Sequence, residues 1–181
     1  MNKHSRFTSN GFKLAVMALA ICGAGSAMAA NTNSATATST SVVVTPITVA
    51  KSVDMSFGNI AGGATSGTVT LTPGGALSVT GGAVKAGGTP AAAKFDVSGS
   101  GSLTYAIDYT GTATALTSGS DSMPFAAVSD TTASAKTSGT VGTGALTAGA
   151  QSIYVGGVLT VGINQNAGTY TGNIAVAVNY N

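Results

Sequence analysis

The chain has 181 residues, of which 7% are charged and 44% apolar, with 26 glycines, one cysteine, one histidine and no tryptophan. That length fits one domain of ordinary size, and Glu, Lys, Leu and Arg are too sparse for a coiled coil or helical bundle. The glycines follow no three-residue period, which excludes collagen, and a mean hydropathy of +0.37 excludes a charged disordered tail.

Lys3, Arg6 and Lys13 flank an apolar run that ends at Cys22, and Ala27-Met28-Ala29 follows as a small-x-small pattern. This is the order of an export signal, with cleavage expected after Ala29. The run is too short to cross a bilayer as a helix. Ile21 stands before Cys22, against a lipid anchor, which wants a small residue there. The expected organisation is a signal peptide over 1–29, an N-terminal extension over 30–49 and a folded domain over 50–181.

Without residues 1–29 the chain keeps Lys51, Lys85, Lys94 and Lys136 against Asp54, Asp96, Asp108, Asp121 and Asp130, a side-chain charge of −1 in place of +2. No His, Cys, Arg, Glu or Trp is left. The missing imidazole and thiol argue against His- or Cys-based catalysis and their metal sites. The missing Arg and the lack of a basic patch argue against nucleic acid as a partner. No calcium-loop spacing or phosphate loop is present. A protein that is not an enzyme, with no cofactor and no membrane-spanning segment after the signal, is the expectation.

The remaining chain reads as short strands between Gly, Ser, Thr and Asn. Val42–Val49 is β-branched, and Pro46 within it argues for an edge or a break. Met55-Ser56-Phe57 runs into a Gly58-Asn59 stop. Thr68–Thr72 alternates strictly and ends at Pro73-Gly74-Gly75. Ala76–Thr80 is a further short strand. Lys94–Ser98 places Phe95 and Val97 inward, and 103–109 places Leu103, Tyr105, Ile107 and Tyr109 on one side. Phe125–Val128 is another short run. Gln151–Val161 holds a glycine pair, Gly156-Gly157, that suggests a bulge or bend between two short strands. Segments 111–123 and 131–150 read equally well as loops or weak edge strands.

The final stretch is the most regular. From Tyr170 the even positions are Tyr170, Gly172, Ile174, Val176, Val178 and Tyr180, and the odd ones are small or polar. About 7–9 short strands at this spacing predict an all-β, Ig-like antiparallel β-sandwich. Its core must come from aliphatic side chains and eight aromatics.

The C-terminal stretch 168–181 resembles the end of a chaperone–usher pilin subunit, with Gly168 fourteenth from the end and Tyr180 penultimate. Met55–Asn59 and Leu103–Asp108 resemble the archaic, spore-coat-U-like branch of those subunits. Most of 42–181 is also similar to an exported bacterial family, the domain of unknown function 4402. The pilin resemblance implies a sandwich lacking one strand, filled first by a periplasmic chaperone and then by a neighbouring subunit's N-terminal extension. It implies identical or related subunits, a chaperone and an outer-membrane usher as partners, and a path through the periplasm to a surface fibre. In that reading Gly168, Tyr170, Ile174, Val176, Val178 and Tyr180 border the groove, and Val43, Ile47 and Val49 form the donor face. Two departures stand out: Thr45 interrupts that face, and the disulfide common in archaic subunits is missing. The alternative is that Val42–Val49 completes its own sandwich. The protein would then be a self-complete exported domain binding glycan or protein, with Tyr105, Tyr109, Tyr154 and Tyr170 as candidate contacts.

Overall fold

The computed structural model describes residues 33–181; the expected export signal lies outside the described residues. The chain divides into two units, Met1–Thr40 and Ser41–Asn181. Of the first, residues 33–40 are exposed and without regular structure. The second is all-β, and no helix occurs among the described residues.

Twelve strands make up this unit. They are β1 (Thr48–Val53), β2 (Asn59–Ala61), β3 (Gly67–Leu71), β4 (Leu77–Gly81), β5 (Val84–Gly87), β6 (Ala93–Ser98), β7 (Thr104–Asp108), β8 (Ala115–Ser118), β9 (Asp121–Asp130), β10 (Thr143–Ala145), β11 (Ala150–Val161) and β12 (Ala177–Tyr180). Every pairing is antiparallel. The main sheet holds β1, β6, β11, β3, β4, β9 and β8; a second sheet runs β10-β7-β12, and β2 pairs with β5.

Strand β11 organises the main sheet. Tyr154 and Val155 pair with both β6 and β9, while Gly157, Val158 and Leu159 pair with both β3 and β9. Strands β3 and β6 therefore lie end to end along one edge of β11, and β9 lies along the other. The glycine pair does not split the strand, as the sequence suggested. It marks where β3 gives way to β6. A Cβ on Gly156 would overlap the Leu71 carbonyl, and one on Gly157 would overlap the Phe125 ring. Phe125 itself meets Phe57 edge to face, with ring centroids 6.2 Å apart.

The alternations resolve into two apolar clusters. One joins Val69, Leu71, Leu116, Met123, Phe125 and Leu159. The other fills the space between the sheets with Phe95, Val97, Tyr105, Ile107, Leu146, Ile153 and Val155. Leu103, expected inside, is 40% exposed and precedes β7. The two undecided segments contribute β8, the start of β9, β10 and the buried Leu146. The expected strand Val42–Val49 is shifted: residues 41–46 are exposed and irregular, and the first strand is Thr48–Val53. Val49 pairs with Val97 there, and Ile47 and Val49 pack against the inter-sheet cluster. The expected twelve-residue final strand is ladder-paired only over Ala177–Tyr180, with a single bridge at Thr171.

Candidate functional site

The residues before β12 form one wall of a groove. Thr171 exchanges main-chain hydrogen bonds with Thr117 at 2.9 and 3.0 Å, and Ala113 donates to the Asn173 carbonyl at 2.8 Å. The Ala175 N–H donates to the Thr112 hydroxyl at 3.0 Å, and that hydroxyl donates to the Ala175 carbonyl at 3.0 Å. The odd residues thus turn their peptide groups toward the segment 112–117. Strand alternation turns those of Tyr170, Gly172 and Ile174 the opposite way, into the groove. Among the described residues no main-chain hydrogen bond joins these three to another strand.

The facing wall is 55–60. Ser56 and Ala91 exchange hydrogen bonds at 2.8 Å in both directions. The flanking Met55 and Phe57 therefore present their peptide groups away from Ala91. Between the walls lies a space of about 730 Å³ whose floor is made of Ala93, Phe95, Leu116, Met123 and Leu159. These are members of the apolar clusters. The groove thus reaches to the core and is bordered by the unpaired peptide groups of Tyr170, Gly172 and Ile174 on one side and of Met55 and Phe57 on the other, while Asn59 and Ile60 pair with β5. A Lys51–Asp54 ion pair sits at its rim.

Local contacts hold the first wall in place. A Cβ on Gly168 would crowd the Ser118 side chain, and one on Gly172 would press on Leu116 and Ala113. Glycine at both positions lets the segment lie close against β8. The Tyr170 hydroxyl accepts from the Gln165 amide at 2.7 Å and donates to the Asn166 carbonyl at 2.8 Å. Asn166 is in turn anchored on the Asp121 carboxylate at 3.1 Å.

The nine residues singled out from the sequence do not share one place. Gly168, Tyr170 and Ile174 line the groove. Val176, Val178 and Tyr180 continue the same chain, half-buried against the inter-sheet cluster. Val43 is 95% exposed and lies outside the groove. Ile47 and Val49 are packed into the protein's own sandwich. The groove floor went unnoticed in the sequence: Leu116 and Met123 sit in a Thr/Ser-rich segment without alternation, and Leu159 and Phe95 read only as core.

A family model, the domain of unknown function DUF4402, matches residues 47–180. The chain belongs to that family. The DUF4402 region opens at Ile47, one residue before the sandwich's own first strand, and takes in both walls and the floor of the groove. It leaves out the exposed Val42-Val43-Val44 triplet. No curated protein and no solved structure matches the chain significantly.

The four candidate contact tyrosines part company in the fold. Tyr105 is fully buried, donates to the Gln151 side chain at 2.7 Å, and burial raises its pKa. Tyr109 turns its hydroxyl inward, and burial raises its pKa too. Tyr170 is committed to the groove wall. Tyr154 lies on the outer face of the main sheet, between Lys94 and Asp130.

Proposed function

We propose that this protein is an exported structural subunit of a bacterial surface fibre that assembles by strand addition. One observation carries the reading: the groove is floored by core side chains and walled on both sides by peptide groups that no strand of the described chain satisfies. A buried or half-buried peptide group without a partner is costly. An extended segment laid in the groove would bond to both walls and place alternate side chains on the floor. Residues 168–174 are long enough for a strand of about 23 Å.

The donor in this reading is the N-terminal segment of a second copy. Ile47 and Val49 are engaged at home, so the bulky apolar residues free to donate are Val42, Val43 and Val44, at 86%, 95% and 41% exposure. A periplasmic chaperone that fills the groove before assembly, an outer-membrane usher and export past the inner membrane belong to the same proposal. So does a role without catalysis.

The test compares the exported protein with a version lacking residues 30–46. The longer form is expected to multimerise on concentration, seen by size exclusion and negative-stain microscopy. The shorter form is expected to stay monomeric and to bind a 30–46 peptide. Two equally monomeric proteins, neither responding to the peptide, would refute the reading.

A further inference from the structure

A second site lies on the opposite face of β6 and β11 from the groove. Lys94, Tyr154 and Asp130 stand directly across from one another on β6, β11 and β9. In the next row, Ser152 pairs with Asp96 and donates to its carboxylate at 2.7 Å. Lys94 bridges to the same carboxylate at 3.0 Å. In a chain so poor in charge, this concentration of ionic groups around a half-exposed aromatic stands apart.

Two loops rise above this face and make it concave. The Gly74 N–H donates to the Ser134 carbonyl at 2.7 Å, tying the 73–75 turn to the segment after β9. Asp130 secures that segment: one carboxylate oxygen accepts from the Thr131 N–H and the other from the Ser134 hydroxyl, both at 2.7 Å. The result is a shallow hollow of about 190 Å³ lined by Val53, Pro73, Gly74, Gly75, Lys94 and Tyr154. Among the described residues the Tyr154 hydroxyl has no hydrogen-bond partner.

We propose that this hollow binds a neutral sugar ring of a glycan. β11 is paired on both edges here, so the face offers no open ladder and cannot take a peptide strand. A pyranose has one apolar face to lie on the Tyr154 ring and the exposed Val53, and a rim of hydroxyls to meet Lys94 and the phenol. Lys94 is neutralised by Asp96, and Lys136 is spent on the Ser129 carbonyl at 3.1 Å. No surplus positive charge is left for a phosphate or sulfate, which favours an uncharged ligand. The hollow shares no lining residue with the groove, and its role does not depend on strand addition.

The test is an amide NMR titration of the ¹⁵N-labelled exported protein with methyl β-galactoside, methyl β-glucoside and methyl α-mannoside, with N-acetylneuraminic acid as the charged comparison. At least one neutral glycoside is expected to shift Val53, Gly74, Gly75, Lys94 and Tyr154, with affinity in the roughly millimolar range of a shallow one-ring site. Tyr154→Ala should weaken binding roughly tenfold, and Tyr154→Phe, which keeps the ring, should retain most of it. The proposal is overturned if no neutral glycoside shifts these amides, if the shifts fall only at 168–174, if only the charged sugar responds, or if Tyr154→Ala binds as well as the parent.

Discussion

The Tyr180 hydroxyl donates a hydrogen bond to the Thr45 carbonyl oxygen across 2.9 Å, joining the last strand to the segment that leads into the first. The same hydroxyl accepts from the Ser100 N–H at 2.7 Å, and Gly99 leaves room for it, since a Cβ there would overlap the phenol oxygen. Tyr180→Phe removes both bonds and keeps the ring. The expected cost is about 1–2 kcal/mol, read as a melting temperature lower by roughly 2–6 °C. An unchanged melting temperature would show that the phenol oxygen contributes nothing to holding the two ends.

Gly157 is where β11 passes under the Phe125 ring. Gly157→Val forces that ring off its contact with Phe57, at a cost of about 3 kcal/mol. Gly156→Ala should be at least as severe, because its Cβ meets the Leu71 and Thr72 backbone, which cannot swing aside. Urea midpoints of both variants check this. Midpoints equal to the parent's would mean the β3–β6 junction is looser than described.

Two truncations separate the free arm from the first strand. Removing residues 30–46 takes away the Thr45 carbonyl that Tyr180 bonds but no packed side chain, since the described residues of that stretch are exposed, and should lower the melting temperature by no more than about 3 °C. Removing residues 30–53 takes away β1 and the packing of Ile47 and Val49. That should cost about 2–4 kcal/mol. Equal stability of the two forms would mean that β1 is not part of the domain's own fold.

Tyr105 combines a fully buried ring with a hydrogen bond to Gln151. Tyr105→Phe is expected to cost about 1 kcal/mol and Tyr105→Ala about 3–5 kcal/mol, measured by chemical denaturation. Near-equal losses for the two would shift the weight from the ring to the hydroxyl.

Asp96 titrates at about 2, held down first by the Ser152 hydroxyl and then by Lys94 and Ser52. A folded-state pKa below the unfolded value of about 3.9 means the carboxylate stabilises the fold above that pH. The contribution is lost as the pH falls from about 4 toward 2. Asp130, held low first by the Ser134 hydroxyl, acts in the same direction. The Asp96 site is solvent-exposed, so its share stays below about 1 kcal/mol. Stability should be flat from about pH 8 to 5 and fall below about pH 4. Ser152→Ala should raise the Asp96 midpoint in a carboxyl NMR titration; an unmoved midpoint would remove Ser152 as the leading cause.

Much of the sandwich was legible in the sequence because two-residue alternation is itself a record of burial. Thr68–Thr72, Lys94–Ser98 and Tyr105–Ile107 each point one set of side chains inward, and the structure buries Val69, Leu71, Phe95, Val97, Tyr105 and Ile107. The C-terminal alternation marked one wall of the groove for the same reason. Leu116, Met123 and Leu146 left no such trace. Leu116 and Leu146 each stand among Thr, Ser, Ala and Gly, Met123 is separated from Phe125 by Pro124, and the cluster each one joins is completed by strands far away in the chain. Residues 42–49 misled because a β-branched run states a preference for extended backbone and not where a strand begins.

What the sequence determined by itself was the strand class, the inward faces and the absence of thiol, imidazole and guanidinium after residue 29, since these depend on residue type and local period alone. Only the tertiary structure decided that Ile47 and Val49 serve their own sandwich and that a core-floored groove stays open between 55–60 and 168–174. It alone set Tyr154 between Lys94 and Asp130. The reason is physical: which backbone edges meet, and which stay unpaired, is settled by long-range register, and register is a property of strand pairs that no single strand encodes.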